Sequence, residues 1–202
     1  LLAQPHLIGT NDIKLQRADL LLIGGDLAYP GPTPDNYQRK FFRVFEDALR
    51  PPENIIKNLK EKKPQEISYR KPQLPSGQTL ESYQGPTCLM IPGNHDWYDG
   101  LQTFCRFVCN RNWFGGWFLP QTNSYFVSAL PHNWWVFAAD YALNGDIDTK
   151  QFQYFAKIVE SYFDNDIRAE RVIIITHQPD WIINDHEHSN LGENLRYLIN
   201  NV

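Results

Sequence analysis

The chain has 202 residues, of which 42% are hydrophobic and 14% are aromatic. This apolar content is ample for one packed core and short for two, so we predict a single domain over residues 1–202. The net charge of −4 argues against a nucleic-acid-binding protein, because such proteins present a basic face to phosphates. The sequence has no run of about 18 apolar residues, so we predict no membrane span within it.

The first half of the chain predicts two strands and one helix. The apolar run of residues 19–23 ends at two glycines, a pattern typical of a strand buried on both faces. Asp35 with Gln38 indicates a capped helix start, and apolar residues then recur at helical spacing until Pro51-Pro52 ends the helix. Residues 88–91 are the next predicted strand.

The middle of the chain is less regular. Residues 51–86 contain six prolines and six Lys or Arg, which predicts a surface insertion, either a lid near the functional site or a tolerated loop. A weakly helical segment over residues 101–108 follows. The aromatic residues of the segment 113–118 could face a substrate, but packing in the core or in a lid is the favoured interpretation.

The second half adds a hairpin, two helices and a strand. Residues 124–129 and 134–139 read as the two strands of a hairpin. Thr149 is predicted to cap a helix, residues 171–176 form the clearest β-branched strand, and a last helix covers about 191–199. Strands that alternate with helices predict a layered α/β fold, with antiparallel pairing where the hairpin lies.

Three cysteines are too few for a disulfide framework. Small buried side chains in a reducing compartment are the favoured interpretation. The alternative is that Cys105 and Cys109, four apart on the predicted helix, form a thiol pair that binds zinc.

Three polar motifs follow predicted strands: Gly24-Gly25-Asp26, Pro92-Gly93-Asn94-His95-Asp96 and Thr176-His177. In layered α/β folds, ligands collect at the carboxyl ends of strands, so we expect these motifs to meet at the same edge of one sheet. The short loops would gather an amide oxygen, carboxylates and imidazoles where a metal ion and a phosphate can both be reached.

Hydrolysis of a phosphate ester needs the donors that these motifs offer. Asp26 can bridge two metal ions about 3.5–4 Å apart. Asn94 and His177 can bind one of these ions, and mixed oxygen and nitrogen ligands suit Zn, Fe, Mn or Co. His95 is the candidate proton donor, and Asp96 is placed to hold the tautomer of its ring and raise its pKa.

In residue identity and in order, these motifs resemble those of the calcineurin-like metallophosphoesterases over roughly residues 19–181. Two segments are most similar to the purple acid phosphatase branch: Gly25-Asp26-Leu27-Ala28-Tyr29 and His177-Gln178-Pro179-Asp180-Trp181. In that branch the tyrosine of the first motif ligates ferric iron. The resemblance gives Tyr29 this role here, although Tyr29 could instead simply pack beside the site. The implied cofactors are two divalent or mixed-valence metal ions, Fe, Zn or Mn.

The resemblance implies a layered β-sandwich with mixed sheets and flanking helices. It also implies metal-dependent hydrolysis of a phosphate ester. The alternative is a metallophosphoesterase fold that has lost catalysis and serves as a scaffold or interaction domain. The family's opening Asp motif and closing Gly-His-x-His motif are not in this sequence, which also begins at Leu1 without Met. We therefore expect a domain truncated at both ends. Similar large proteins carry additional membrane segments, so the location of the full-length protein, cytoplasmic or membrane-associated, is open.

Three further polar residues have structural interpretations. Asp140 resembles the strand-ending Asp that supports the core loops of the family. His186 and His188 have a spacing that suits metal binding, but they do not match the closing motif and are expected in a solvated loop before the last helix.

Overall fold

A computed structural model of the chain describes residues 3–51, 78, 82–141, 145–163, 171–178 and 192–201. Within these ranges the strands are β1 His6–Ile8, β2 Lys14–Gln16, β3 Leu20–Ile23, β4 Thr87–Met90, β5 Trp113–Phe114, β6 Trp117–Phe118, β7 Phe126–Leu130, β8 Trp134–Ala138 and β9 Arg171–Ile175. The helical segments are Thr10–Asp12, the consecutive Pro34–Asn36, Tyr37–Phe42 and Arg43–Ala48, then His95–Asp99, Gln102–Phe104 with Cys105–Cys109, Thr149–Tyr162 and Glu193–Asn201.

The sheets mix parallel and antiparallel pairs, as predicted. The first large sheet has the order β3-β4-β6-β5, in which β3 and β4 run parallel and β5 pairs antiparallel with β6. The second has the order β7-β8-β9, with β7 and β8 as the predicted hairpin and β9 parallel to β8. A separate two-stranded ribbon joins β1 to β2. The α/β class with mixed sheets is therefore confirmed.

Four apolar clusters form among the described residues, and two of them position the sheets that carry the site motifs. The larger one packs the helical segment 37–48 against the aromatic residues of β5 and β6. Trp113 to Phe118 thus lie in the core, which confirms core packing over a substrate-facing loop. The other cluster joins the two large sheets, because Leu89 and Ile91 from the β4 side pack with Val136 and Ala138 of β8. The layered sandwich itself stays a prediction.

Helix starts differ from the predicted ones by one or two residues. Thr33 caps the first helix, since its side-chain oxygen accepts from the Asn36 amide at 3.2 Å. Asp35 instead pairs with Arg39 on the exposed face. Asp148, the residue before Thr149, caps the Thr149–Tyr162 helix through the Gln151 amide. Both true caps have the extended backbone that lets a side chain fold back onto the first turn.

β3 is half-buried along its length, although the sequence predicted burial on both faces. β3 is at the end of the strand order in its sheet as described. An edge position leaves one flank of the strand without a neighbouring strand, and this accounts for the partial exposure.

All three cysteines are free thiols, and Cys88 is fully buried. Cys105 and Cys109 share a hydrogen bond between their thiols. Across the residues that the structure describes, no cluster of three or more His, Cys, Asp and Glu side chains could hold a metal ion, so the zinc hypothesis for this pair gains no support.

No helix within the described ranges has the length and apolar character needed to cross a membrane. Most of the 51–86 segment lies outside the described residues, as do His186 and His188. The predictions made for these residues are therefore not addressed by the structure.

Candidate metal centre

The three sequence motifs meet in space, but from two sheets rather than one. Asp26 follows β3 and Asn94 follows β4 in the first sheet, whereas His177 follows β9 in the second. Parallel pairing aligns Ile23 with Met90, so the first two loops leave their sheet side by side. The prediction of a single sheet edge was wrong because strand ends can also converge when two sheets pack against each other.

The His177 side chain lies close to the functional side chains of both other motifs. His177 Nε2 is 3.2 Å from Asn94 Oδ1 and 3.6 Å from Asp26 Oδ1. The same Asp26 oxygen accepts a hydrogen bond from the His95 backbone amide at 3.1 Å. The His177 and Asp26 side chains are 18% and 27% exposed, so the group is sheltered but open to solvent.

The conformation of the first loop is unusual. Gly25 has a φ of 109° and Asp26 a φ of 53°. Left-handed backbone is readily adopted by glycine and is tolerated by Asp, whereas most other residues are strained there. The turn aims the Asp26 carboxylate back toward the second loop instead of along the strand direction.

Glycine is also required for close approach at two positions. A Cβ atom on Gly25 would lie 2.5 Å from His177 Nδ1. A Cβ atom on Gly93 would collide with the Asp26 carboxylate oxygen and with the His177 ring. The two glycines therefore create the space in which the three donors meet.

The hydrogen bonding of His177 makes the site suitable for a cation. Its Nδ1 lies 2.8 Å from the Gly24 carbonyl oxygen, which can only accept, so Nδ1 carries the hydrogen. In the neutral ring Nε2 then presents a lone pair to two oxygen acceptors, those of Asn94 and Asp26. Such an arrangement is unfavourable unless a proton or a metal ion lies between the three atoms.

The donor set fits a first-row metal ion. Ligands about 2.1 Å from a tetrahedral ion lie about 3.4 Å from each other. This is close to the distances from His177 Nε2 to Asn94 Oδ1 and Asp26 Oδ1, 3.2 and 3.6 Å. A histidine ligand usually donates its other ring N–H to a carbonyl or carboxylate, as His177 does to Gly24. One carboxylate, one amide oxygen and one imidazole suit Zn, Fe or Mn.

His95 lies beside this group and faces solvent on one side. Its Nδ1 is 2.8 Å from the Pro30 carbonyl oxygen, so Nδ1 carries a hydrogen and Nε2 is the nitrogen able to take up or release a second proton. The contact holds the His95 ring against the first loop, although the two residues are 65 positions apart.

Asp96 does not hold the His95 ring, and this prediction was wrong. Asp96 is 1% exposed and its carboxylate points into the protein. It accepts from the Gly93 amide at 2.8 Å, from the Leu27 amide at 3.3 Å and from the Tyr37 hydroxyl at 2.5 Å. The short helix His95–Asp99 has three residues per turn, so neighbouring side chains point about 120° apart.

Asp96 instead connects the loop after β3 to the loop after β4 on their buried side. Burial raises the pKa of Asp96, while its hydrogen bonds from Tyr37, Gly93 and Leu27 act in the opposite direction. Burial and the neighbouring Asp96 carboxylate also raise the pKa of Tyr37, which keeps the phenol protonated as a donor. Asp96 thus fixes the position of the loops that carry Asp26 and Asn94.

Two tyrosine rings contact the His95 ring. The ring centroids of Tyr29 and Tyr98 are 4.4 and 4.7 Å from that of His95. The two tyrosines are 62% and 65% exposed. Tyr29 therefore packs beside the site as one interpretation held, and its role as an iron ligand stays a prediction.

A second buried carboxylate supports the loop from the other sheet. Asp140, which follows β8, accepts from the Trp97 indole N–H at 2.9 Å. Its backbone exchanges hydrogen bonds with the Gln151 side chain. Burial raises the pKa of Asp140 to about 6. These contacts agree with a structural role that supports the core loops.

The residues that sequence reasoning missed act through long-range contacts. Tyr37, Trp97 and Pro30 reach their partners across 59, 43 and 65 positions, and no local pattern announces such contacts. Tyr98 could have been identified from the sequence, because it is an aromatic residue that closely follows the Asn94-His95-Asp96 motif.

Comparison with known proteins adds an independent line of support. A family profile described as calcineurin-like phosphoesterase matches residues 6–201. No curated protein and no solved structure matches the chain significantly. The family profile covers nearly all of the 202 residues, and membership of this family implies metal-dependent hydrolysis of phosphoester bonds in general. The chain belongs to the calcineurin-like phosphoesterase family.

Proposed function

We propose that this protein hydrolyses a phosphate ester at a metal centre held by Asp26, Asn94 and His177, with His95 as the proton donor. The observation that carries the proposal is that His177 Nε2 lies 3.2 Å from Asn94 Oδ1 and 3.6 Å from Asp26 Oδ1, so that in the neutral Nδ1–H form of the ring three lone-pair donors meet. A scaffold without catalysis is not favoured, because the groups for binding and for proton transfer lie together.

The donor set defines what each residue would contribute to metal binding. His177 and Asn94 face one position, and Asp26 Oδ1 faces the same position. The second oxygen of Asp26 would serve a second ion, which is the basis for proposing a dinuclear centre. When bound, the ions supply Lewis acidity, which lowers the pKa of an attacking water and neutralises phosphate oxygens.

The proposed proton transfer takes place at His95 Nε2. In the imidazolium form both ring nitrogens carry hydrogen, and Nδ1–H donates to the Pro30 carbonyl. As the water oxygen bonds to phosphorus and the ester P–O bond breaks, the Nε2 proton moves to the leaving oxygen. The ring is left as the Nδ1–H tautomer, which the Pro30 contact stabilises.

The assignment to the purple acid phosphatase branch rests on Tyr29. If Tyr29 binds ferric iron, the oxidised protein should be coloured by phenolate-to-iron charge transfer, and Tyr29→Phe should remove the colour. A colourless and active protein that contains zinc or manganese would reject the iron assignment and leave the proposed reaction intact.

Metal removal and reconstitution test the proposed function directly. Chelator-treated protein should lose hydrolysis of p-nitrophenyl phosphate and bis-p-nitrophenyl phosphate, and addition of Mn²⁺, Zn²⁺ or Fe²⁺ should restore it. Comparing the two substrates also separates monoesterase from diesterase activity. Hydrolysis that persists without metal, or its absence with every metal tested, would contradict the proposal.

Two histidine variants make the metal test specific. His177→Asn should lower metal affinity, measured by calorimetric titration, because the imidazole ligand is lost. His132→Asn is the matched control, since His132 is in the β7–β8 turn with a φ of 62°, where Asn is well tolerated. Equal metal affinity in the two variants would remove His177 from the site.

A further inference from the structure

Tyr29 and Tyr98 both contact the His95 ring, and the proposed proton transfer uses neither of their side chains. Tyr29 and Tyr98 are among the most exposed large side chains of the described residues. Large aromatic side chains usually bury most of their surface, and their burial dominates core energetics. Here both rings instead contact one polar ring, the proposed proton donor.

The position of the leaving group follows from the role of His95. A proton donor has to lie within about 2.6–3.2 Å of the atom that it protonates. The carbon framework attached to the leaving oxygen therefore has to lie next to the His95 ring. The Tyr29 and Tyr98 centroids lie 4.4 and 4.7 Å from the His95 centroid, so a leaving group next to His95 would be within reach of these rings.

We infer that Tyr29 and Tyr98 are specificity-determining residues that select esters whose leaving group carries a flat aromatic ring, such as an aryl or nucleoside group. This inference rests on the proposed function and deepens it. Offset or edge-to-face contact with an aromatic ring adds attraction beyond the area buried. A puckered aliphatic ring of equal size gains only the area-dependent part.

The neighbouring contacts explain why the rings form a fixed surface. Tyr29 precedes Pro30, whose carbonyl accepts from His95, and the Tyr29 carbonyl accepts from Lys40 at 3.3 Å. Tyr98 belongs to the short helix His95–Asp99, which Trp97 anchors to Asp140. Both backbones are held in place, so the aromatic surface is preorganised for binding rather than formed by it.

Two phosphonates test the inference without interference from bond cleavage. Benzylphosphonate and cyclohexylmethylphosphonate have the same charge and similar size, and neither contains a scissile ester. Binding to the metal-loaded protein is measured by calorimetry and by competition with p-nitrophenyl phosphate. We expect benzylphosphonate to bind about 2- to 10-fold more tightly, the range typical of an aromatic contact.

Matched variants assign the preference to the two rings. Tyr98→Leu and Tyr29→Leu should each reduce the preference, and the double variant should abolish it. Tyr98→Phe and Tyr29→Phe should retain it, because only the ring is required. Tyr162→Leu is the control, since Tyr162 is also exposed but contacts Trp135 at the other end of the second sheet.

The outcomes separate the inference from the proposed function. Equal affinity for the two phosphonates in the unmodified protein would overturn the inference while the phosphoesterase proposal stands. A preference that survives in the double leucine variant would overturn it as well. If neither phosphonate binds and no ester is hydrolysed, the proposed function fails and the inference falls with it.

Discussion

The site loops, residues 24–30 and 93–98, have two contrasting faces. On the outer face, His177 Nε2 lies 3.2 and 3.6 Å from oxygens of Asn94 and Asp26, and in the neutral Nδ1–H form of the ring all three atoms are acceptors. On the inner face, the Asp96 carboxylate receives hydrogen bonds from Gly93, Leu27 and Tyr37. Among the described residues, the inner carboxylate thus has three donors, whereas the outer Asp26 oxygen has one, the His95 backbone amide.

The contrast separates binding from support. A carboxylate that already receives several hydrogen bonds gains little from a metal ion, so Asp96 holds the loops together. A group of acceptors with few donors gains most from a cation, so we propose Asp26 and its neighbours as the binding face. Substitutions on the outer face should therefore alter metal content and rate, and those on the inner face should mainly alter stability.

The largest effect is expected from Asp26→Asn. The change removes a negative charge from the outer face, so metal content and hydrolysis should both fall to background, more than the 10–100-fold typical of losing an outer-shell partner. Elemental analysis and initial rates measure the two effects. Asp35→Asn, in an exposed pair with Arg39, should leave both unchanged. Full metal content in Asp26→Asn would show that this carboxylate is not a ligand.

His95→Asn should slow hydrolysis while the metal stays bound. Loss of a general acid typically costs about 10²–10⁴-fold. The loss should be greatest for alkyl esters, whose leaving oxygen needs a proton, and smaller for nitrophenyl esters. Steady-state rates with both classes measure this difference. Equal losses for the two classes would mean that His95 is not the proton donor.

Asp140 should make the metal-free protein less stable as pH rises. Burial raises its pKa from 3.8 to about 6, so the folded state keeps a proton that the unfolded state has lost. Between about pH 4 and pH 6 the folded state therefore binds more protons, and stability falls by about 3 kcal/mol in total. Above pH 6 the loss stays constant.

Asp140→Asn isolates this contribution. The amide oxygen can still accept from Trp97, but no charge forms, so the variant should gain stability relative to the original protein as pH rises from 4 to 7. Urea unfolding midpoints across this range measure the difference. Asp47→Asn, an exposed carboxylate near Arg43, should give no such trend. A constant difference for Asp140→Asn would contradict the raised pKa.

Tyr37→Phe should give the smallest effect of the series. Removal of the hydroxyl takes one donor from the buried Asp96 carboxylate, which should lower the free energy of unfolding by about 1.5–3 kcal/mol. Metal content of the folded protein should change little, because Asp96 keeps its two backbone donors. Tyr154→Phe is the control, since the Tyr154 hydroxyl accepts from the Val127 amide at 3.3 Å. Metal loss without a stability change would reverse the assignment of the inner face.

The sequence predicted best those parts of the fold that depend on local pattern. Strand β9, the β7–β8 hairpin and the Thr149–Tyr162 helix each follow from apolar periodicity and turn residues over a short stretch. The three site motifs were found because each follows a strand. Both cap assignments missed by one or two residues, since the residue that caps a helix is the one with an extended backbone just before the first turn.

Contacts between distant polar residues could not be predicted in the same way. The predicted contact between Asp96 and the His95 ring was wrong, because adjacency in sequence does not determine which side of a helical turn a residue faces. Asp96 found its partners at Leu27 and Tyr37, and His95 found its partner at Pro30. Which sheet supplies His177 depends on how two sheets pack, which periodicity does not encode.

Gly25 and Gly93 have a consequence for how this protein can diverge. The two glycines have no side chain that could bind a ligand. A single methyl group at either position would nevertheless occupy space used by His177, and at Gly93 also space used by Asp26. Natural variation at these two positions should therefore be as restricted as at the ligands themselves. A homologue with alanine at both positions would be expected to retain the strands and to have abandoned the site.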